Sequence, residues 1–198
     1  MSNPLKKNNV CAIIPFFNEE NTIKEVIEKT FNYVDLIICI DDGSTDSSLN
    51  KIPANDNLIV LKNKANIGKG YSLRKGFEKS IELKTKYTIT LDADLQHPPE
   101  KIPSFIEQLK NNDVVVGNRL NNLSDMPLQR IMSNKLTSKC LSLKTKTKII
   151  DSQCGYRGFR TEIIKLILPD YNGYEAESEM LVKAARKNLK ISFIDIPT

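Results

Sequence analysis

Tyr87-Thr88-Ile89-Thr90-Leu91-Asp92-Ala93-Asp94-Leu95-Gln96-His97 changes character halfway along. Residues 87–91 carry no charge and alternate apolar with β-branched side chains, which reads as a strand buried on both faces. Polarity returns abruptly at Asp92, with two carboxylates at i and i+2. Reactive side chains gathered just past a buried strand mark a parallel sheet covered by helices, whose ligands sit at the carboxyl ends of its strands.

The same alternation extends in both directions. Short apolar runs at 10–14, 36–40, 58–61 and 114–116 read as further strands. Between them, Ile23, Val26, Ile27, Thr30, Phe31 and Val34 recur at helical spacing, as do Leu73, Gly76, Phe77, Ser80 and Ile81, and then Ile102, Phe105, Ile106 and Leu109. Thr22-x-x-Glu25 has the form of a capping box for the first helix. The second half is less regular: a helix over 128–143, an extended stretch over 150–159, short helices over 161–168 and 178–188, and a last strand over 191–196. The expectation is one α/β domain with a mostly parallel central sheet flanked by helices. Each strand is followed by a polar cluster, and these should line one crevice: Pro15-Phe16-Phe17-Asn18-Glu19-Glu20, Asp41-Asp42-Gly43-Ser44, Asp92 to His97, and Gly117-Asn118-Arg119.

Composition narrows the classes. The 198 residues suffice for one full core, and 40% hydrophobic with 27% charged side chains excludes collagen-like, disulfide-scaffold and wholly disordered chains. No run approaches the ~18 apolar residues of a membrane span. The Met1 to Lys7 segment has no apolar stretch behind its lysines, so a soluble, intracellular protein is expected. Cys11, Cys39, Cys140 and Cys154 form no CxxC pair, and with one histidine a structural zinc site is not expected. The net charge of +5 is unevenly spread: residues 126–150 hold no acid but include Arg130, Lys135, Lys139, Lys144, Lys146 and Lys148. That segment is either a solvated helix face or a surface for phosphates.

Asp92 and Asp94 are too close to ionise together comfortably unless a cation joins them, which suits a hard divalent ion shared with substrate phosphates and with the Gln96 carbonyl. His97 reads as a packing or orienting residue. Asn66-Ile67-Gly68-Lys69-Gly70 is neither a Walker loop nor a dinucleotide fingerprint, since Asn63, Gly70 and Leu73 occupy the wrong positions. It remains a tight turn opening a helix, with Lys69 directed at the crevice. Glu175, Glu177 and Glu179 either complement a helix dipole or supply a base.

Taken in order, Pro15 to Glu20, Ile40-Asp41-Asp42-Gly43-Ser44-Thr45-Asp46, Asn66 to Gly70, Asp92 to Pro99, Gly117 to Arg119 and Asp151-Ser152-Gln153-Cys154-Gly155-Tyr156-Arg157 resemble the family 2 glycosyltransferases of the GT-A fold. The nearest branch is that of the dolichyl-phosphate mannosyltransferase-like and polyprenyl-phosphate glycosyltransferases. The resemblance covers residues 10–197. It implies a single GT-A domain with a nucleotide-binding half over about 8–120 and an acceptor-side half over about 121–198. It further implies an inverting, metal-dependent hexosyltransferase that uses Mg²⁺ or Mn²⁺ and a donor of the GDP-mannose or UDP-glucose type.

By position, the resemblance assigns nucleotide contacts to Pro15, Phe17 (often Tyr in the family), Glu19, Ile40, Asp42, Lys69, Asp92 and Ala93. It assigns the metal to Asp92, Asp94 and Gln96, and the phosphates to Arg119 and Arg130, with Asp94 and Arg119 as the catalytic pair. Gln153, Cys154, Tyr156, Arg157, Glu177 and Glu179 fall on the acceptor side. The implied acceptor is a polyprenyl or dolichyl phosphate, which is already anionic and needs no base. A saccharide acceptor in cell-wall, capsule or lipopolysaccharide synthesis is the alternative, with Glu177 or Glu179 as base. A non-catalytic nucleotide-sugar or nucleic-acid-binding module is the remote one, and no nucleic acid is expected because the basic stretch lacks interleaved aromatics. Relatives often continue into membrane segments. Here peripheral contact with the anionic cytoplasmic face of a membrane is expected to rest on residues 130–148.

Overall fold

The computed structural model describes residues 9–121 and 128–197, the side chains of Leu128 and Arg130 excepted. The amino-terminal segment read above for a leader lies outside the described residues.

Seven strands form one sheet: β1 (Val10–Phe16), β2 (Leu36–Asp41), β3 (Leu58–Lys62), β4 (Tyr87–Thr90), β5 (Val114–Asn118), β6 (Arg157–Arg160) and β7 (Ile191–Asp195). Their order is β3-β2-β1-β4-β6-β5-β7. All neighbours run parallel except β6, which is antiparallel to both β4 and β5. The helices are α1 (Ile23–Thr30), α2 (Ser48–Lys51), α3 (Lys69–Glu82), α4 (Ile102–Leu109), α5 (Leu128–Thr145), α6 (Thr161–Ile164) and α7 (Glu175–Arg186).

The central strands are buried on both faces, as their unbroken apolar runs require: Ile13, Ile14, Ile37, Ile38, Ile40 and Ile89 are all fully inaccessible. Neighbouring residues of β6 show which helix covers which face. The Phe159 ring meets Phe77 of α3 edge-on at 5.4 Å. On the other face Gly158 lies against Phe105 and Leu109 of α4.

Two local expectations are corrected. Thr22 precedes α1 but makes no capping bond from its side chain. Its hydroxyl instead donates to the Glu19 carboxylate at 2.7 Å, so the box gives way to a tie within the loop after β1. The extended stretch over 150–159 is only partly strand, and β6 begins at Arg157. Among the described residues no helix is long and apolar enough to cross a membrane.

Candidate active site

The strand order reverses between β1 and β4, where β2 and β3 extend to one side and β6, β5 and β7 to the other. Doubly wound sheets bind ligands at such a switch point. There a cleft of about 430 Å³ opens at the carboxyl ends of the strands. Pro15 near the end of β1 lines it with Phe17 and Glu19 from the loop that follows, Asp42 after β2, and Asp92, Ala93 and Asp94 after β4. Lys69 of α3 lines it as well, whereas Ile40, Gln96 and Arg119 of the expected set do not. Phe16, Asn66, Gly68, Ser72 and Tyr174 also line the cleft and were not singled out as contacts by the sequence. Tyr174 is largely exposed above Lys69, with the ammonium 5.9 Å from its ring centre. Nothing in its local pattern announces it.

Lys69 is the electrostatic centre. Its Nζ lies 2.5 Å from Asp92 Oδ1 and 2.8 Å from Glu177 Oε1. Burial works against the ammonium charge, but the carboxylates of Glu177 and Asp92 outweigh it and hold the Lys69 pKa above its ordinary value. Burial likewise opposes the Asp92 charge, and Lys69 chiefly, with Arg119, keeps its pKa below the usual range. The three groups converge because residue 155 has no side chain. A Cβ there would stand 2.8 Å from Glu177 Oε1, 2.8 Å from Lys69 Nζ and 2.9 Å from Asp92 Oδ2.

His97 is buried, and its Nδ1 accepts the Asp92 backbone N–H at 2.9 Å. A nitrogen that accepts carries no proton, so the ring is neutral with its hydrogen on Nε2. Burial in the first place holds its pKa below the ordinary value. Its ring packs on Tyr156 at 5.1 Å, and so it orients the Asp92 turn. Asp94 is exposed and accepts the Gln96 backbone N–H at 3.1 Å. Gln96 is itself exposed and does not line the cleft, so it contributes to this turn through its backbone.

No three His, Cys, Asp or Glu side chains converge on a metal-sized site among the described residues. Asp92 and Asp94 nevertheless fit a magnesium-like ion, which takes one or two carboxylates and fills its remaining positions with phosphate oxygens and water.

Asp42 does more than line the cleft. Its carboxylate accepts from Asn63 Nδ2 at 2.7 Å and from the backbone N–H groups of Ile67 and Gly68 at 3.1 and 2.8 Å. It thereby fixes the turn into α3. Gly68 there adopts φ +118°, a conformation that favours glycine. Past Lys69, the N–H groups of Gly70 and Tyr71 donate to the Asn172 carbonyl at 2.6 and 3.2 Å. Two of the first N–H groups of α3 are thus taken by protein, and the Lys69 ammonium is the charge that this turn brings to the cleft. Ile40, expected at the base, is turned the other way: its side chain is fully buried beneath Gly76 of α3.

The acceptor-side expectations divide. Glu177 reaches the cleft through Lys69. Glu179 does not: its two oxygens accept the Asp170 N–H at 3.0 Å, one of them also the Tyr171 N–H at 3.1 Å, and Lys183 lies 2.7 Å away. It holds the loop before α7. Cys154 is fully buried, and burial pushes its thiol up to about 12. Tyr156 stacks on Phe105 at 4.3 Å and donates its hydroxyl to the Pro98 carbonyl at 3.0 Å. Arg157 is buried, and burial lowers its pKa. Its guanidinium donates to the carbonyls of Cys154 at 2.7 Å, Ser152 at 2.9 Å and Glu177. All three residues are buried, with the polar groups of Tyr156 and Arg157 directed at backbone carbonyls. The Gln153 backbone N–H donates to Asp151 at 3.1 Å.

Arg119 makes a forked pair with the fully buried Asp151, its Nε at 3.0 Å from Oδ2 and its Nη2 at 3.2 Å from Oδ1. Asp151 also accepts from Asn134 of α5 at 2.7 Å. Asp151 is the residue the sequence left without a role. Arg130, expected at the phosphates, has its side chain outside the described residues.

Residues 11–168 match the family model for glycosyl transferase family 2. The UDP-N-acetylglucosamine–dolichyl-phosphate N-acetylglucosaminyltransferase of Methanococcus voltae is 32% identical over 213 residues, covering 96% of this chain and 85% of that one. An undecaprenyl-phosphate 4-deoxy-4-formamido-L-arabinose transferase of Shewanella sediminis is 31% identical over 170 residues, covering 80% of this chain and 50% of its own length. Among solved structures, glucosyl-3-phosphoglycerate synthase of Mycobacterium tuberculosis with Mn²⁺, UDP and phosphoglyceric acid superposes with a TM-score of 0.76. It is 18% identical, with 96% of this chain and 69% of that one covered, a likeness that shows the GT-A fold alone. The same enzyme has also been crystallised with Mg²⁺ and UDP (TM-score 0.72, 18% identical, 97% of this chain and 70% of that one covered). A switch-point cleft carrying paired carboxylates, together with a family match over most of the chain, leads to one assignment: this protein is a glycosyltransferase and belongs to family 2.

Proposed function

We propose that this glycosyltransferase moves a sugar, with inversion, from a nucleoside-diphosphate sugar to a polyprenyl phosphate at the cytoplasmic face of a membrane. The observation that carries the acceptor is the state of the two candidate bases: Glu177 is joined to Lys69, and Glu179 is spent on the loop before α7. A hydroxyl acceptor needs a free base within reach, whereas a lipid phosphate arrives as an anion. Relatives named for dolichyl-phosphate and undecaprenyl-phosphate acceptors support the same reading.

The nucleotide lies across Pro15, Phe17, Glu19 and Asp42, with its diphosphate toward Lys69, Asp92 and Asp94. Lys69 places positive charge where the leaving diphosphate gains negative charge, which favours the transition state over the ground state, and Arg119, paired with Asp151, adds to the field at Asp92. A divalent ion held by Asp92 and Asp94 would, when bound, neutralise further charge on the same oxygens.

The test is a transfer assay that pairs UDP- and GDP-sugars with a short polyprenyl phosphate or a free saccharide, in Mn²⁺ or Mg²⁺. Product forming only on the lipid phosphate, with the anomeric configuration inverted, is expected. Faster transfer to a saccharide hydroxyl would overturn the acceptor assignment.

A further inference from the structure

Helix α5 presents an outward face that the site does not use. Met132, Leu136 and Leu143 are 72%, 65% and 73% exposed, large apolar side chains that a soluble surface rarely groups. At 100° per residue the three fall within about 40° of one another. Lys135 and Lys139 border this strip on one side; on the other Cys140 and Ser133 come first and Lys144 lies beyond them, all exposed. No acid occurs from Met126 to Ile150, and Lys146 and Lys148 extend the basic border past the end of the helix.

The opposite face of α5 is fixed to the segment that holds Arg119. Ile131, Asn134 and Ser138 are buried. Asn134 donates to Asp151, the partner of Arg119, and Ser138 bonds Ser152 at 3.0 Å. A surface touched by α5 is therefore tied through Asp151 to Arg119, whose charge is felt at Asp92 of the cleft.

We infer that the outward face of α5 is a docking surface for an anionic lipid bilayer. An apolar strip flanked by lysines is the pattern of a helix lying in the interface plane, with the lysine stems along the acyl boundary and the ammonium groups at the headgroups. The charge separates this occupant from others. A second copy of the chain would bring the same lysines against these, whereas anionic headgroups complement them. The inference deepens the proposed function, on which it rests for its purpose: a protein bound through α5 meets an acceptor phosphate at the membrane surface.

The test is cosedimentation of the full chain with vesicles of phosphatidylcholine alone or mixed with phosphatidylglycerol. Binding is expected only to the mixed vesicles and is expected to weaken with salt. Each Lys→Gln change at 135, 139 or 144 should lower partitioning about fivefold. The pair Leu136→Glu and Leu143→Glu should lower it about a hundredfold, while leaving the circular dichroism spectrum and turnover on a short, water-soluble polyprenyl phosphate unchanged. Wild-type protein that ignores the mixed vesicles, or a glutamate pair that binds like wild type, would overturn the inference. Lipid-free self-association that the glutamate pair abolishes would overturn it in favour of a homodimer face. Vesicle binding as expected with no transfer to the short acceptor supports the surface and removes the acceptor assignment, so the two readings fail separately.

Discussion

Gly155 controls the charge cluster by what it lacks. A methyl group there would meet the ends of Lys69, Glu177 and Asp92, which are flexible tips and not backbone. Gly155→Ala should therefore cost little stability, with a urea midpoint close to wild type, while transfer falls by about a hundredfold because displaced catalytic groups lose their alignment. A large fall in the urea midpoint would show instead that the position is structural. Asp151 makes the contrasting case. It is fully buried and gathers bonds from Arg119, Asn134 and Gln153. Asp151→Asn leaves Arg119 without its counter-charge and should destabilise by about 3 kcal/mol, read from urea midpoints. Burial opposes its charge, but Arg119 foremost keeps the Asp151 pKa below the usual carboxylate value. A depressed folded pKa contributes stability that is complete above the unfolded value of about 3.9 and is lost as pH falls through the lower folded one. The wild-type midpoint should accordingly drop below pH 4 more steeply than that of Asp151→Asn. Lys69 and Asp92 were legible in the sequence because they follow strand and turn signals. Cys154, Tyr156 and Arg157, expected on the acceptor side, are buried among carbonyls and rings brought from elsewhere, which local polarity does not reveal.

Helix α3 joins sheet to site, and its fit on the sheet depends on Gly76. A Cβ at that position would stand 2.6 Å from Ile13 Cγ2 and 2.9 Å from Ile40 Cδ1, both fully buried in central strands. Gly76→Ala improves helix propensity but forces α3 off the sheet, and the net loss should be about 1–2 kcal/mol. Thermal melting checks this, and a melting point at or above wild type would refute it. Strands β1, β2, β3 and β5 were readable because each holds an apolar run between helical periods. Strand β6 was blurred because Arg157-Gly158-Phe159-Arg160 carries two charges in four residues. Arg157 can occupy it only because three backbone carbonyls receive its guanidinium. Its antiparallel insertion between β4 and β5 is a property of the chain's path, to which hydrophobic period is blind. The short α2 escaped for a similar reason: Ser48, its one buried residue, gives no apolar period.

At the scale of the molecule, the cleft is assembled from loops after three strands and from the starts of two helices, so ligand binding should be linked to global stability. A nucleoside diphosphate with Mn²⁺ at about a hundred times its Kd adds about 2.7 kcal/mol if it binds only the folded state. For a single domain of 198 residues that amounts to a rise in Tm of about 5–10 °C. Asp94 allows the contribution of the ion to be isolated. It is exposed and holds only the Gln96 N–H, so Asp94→Asn should leave the unliganded stability within about 0.5 kcal/mol of wild type. Asp92 is a poorer probe, since losing its charge also disturbs Lys69 and, through it, Glu177. If the nucleotide is held by the cleft and the ion by the paired carboxylates, UDP or GDP alone should raise Tm equally in wild type and Asp94→Asn. Adding Mn²⁺ should then raise it further only in wild type. An equal further rise in both proteins, measured by scanning calorimetry, would take the ion away from Asp94 and leave Lys69 as the principal cation opposite the diphosphate.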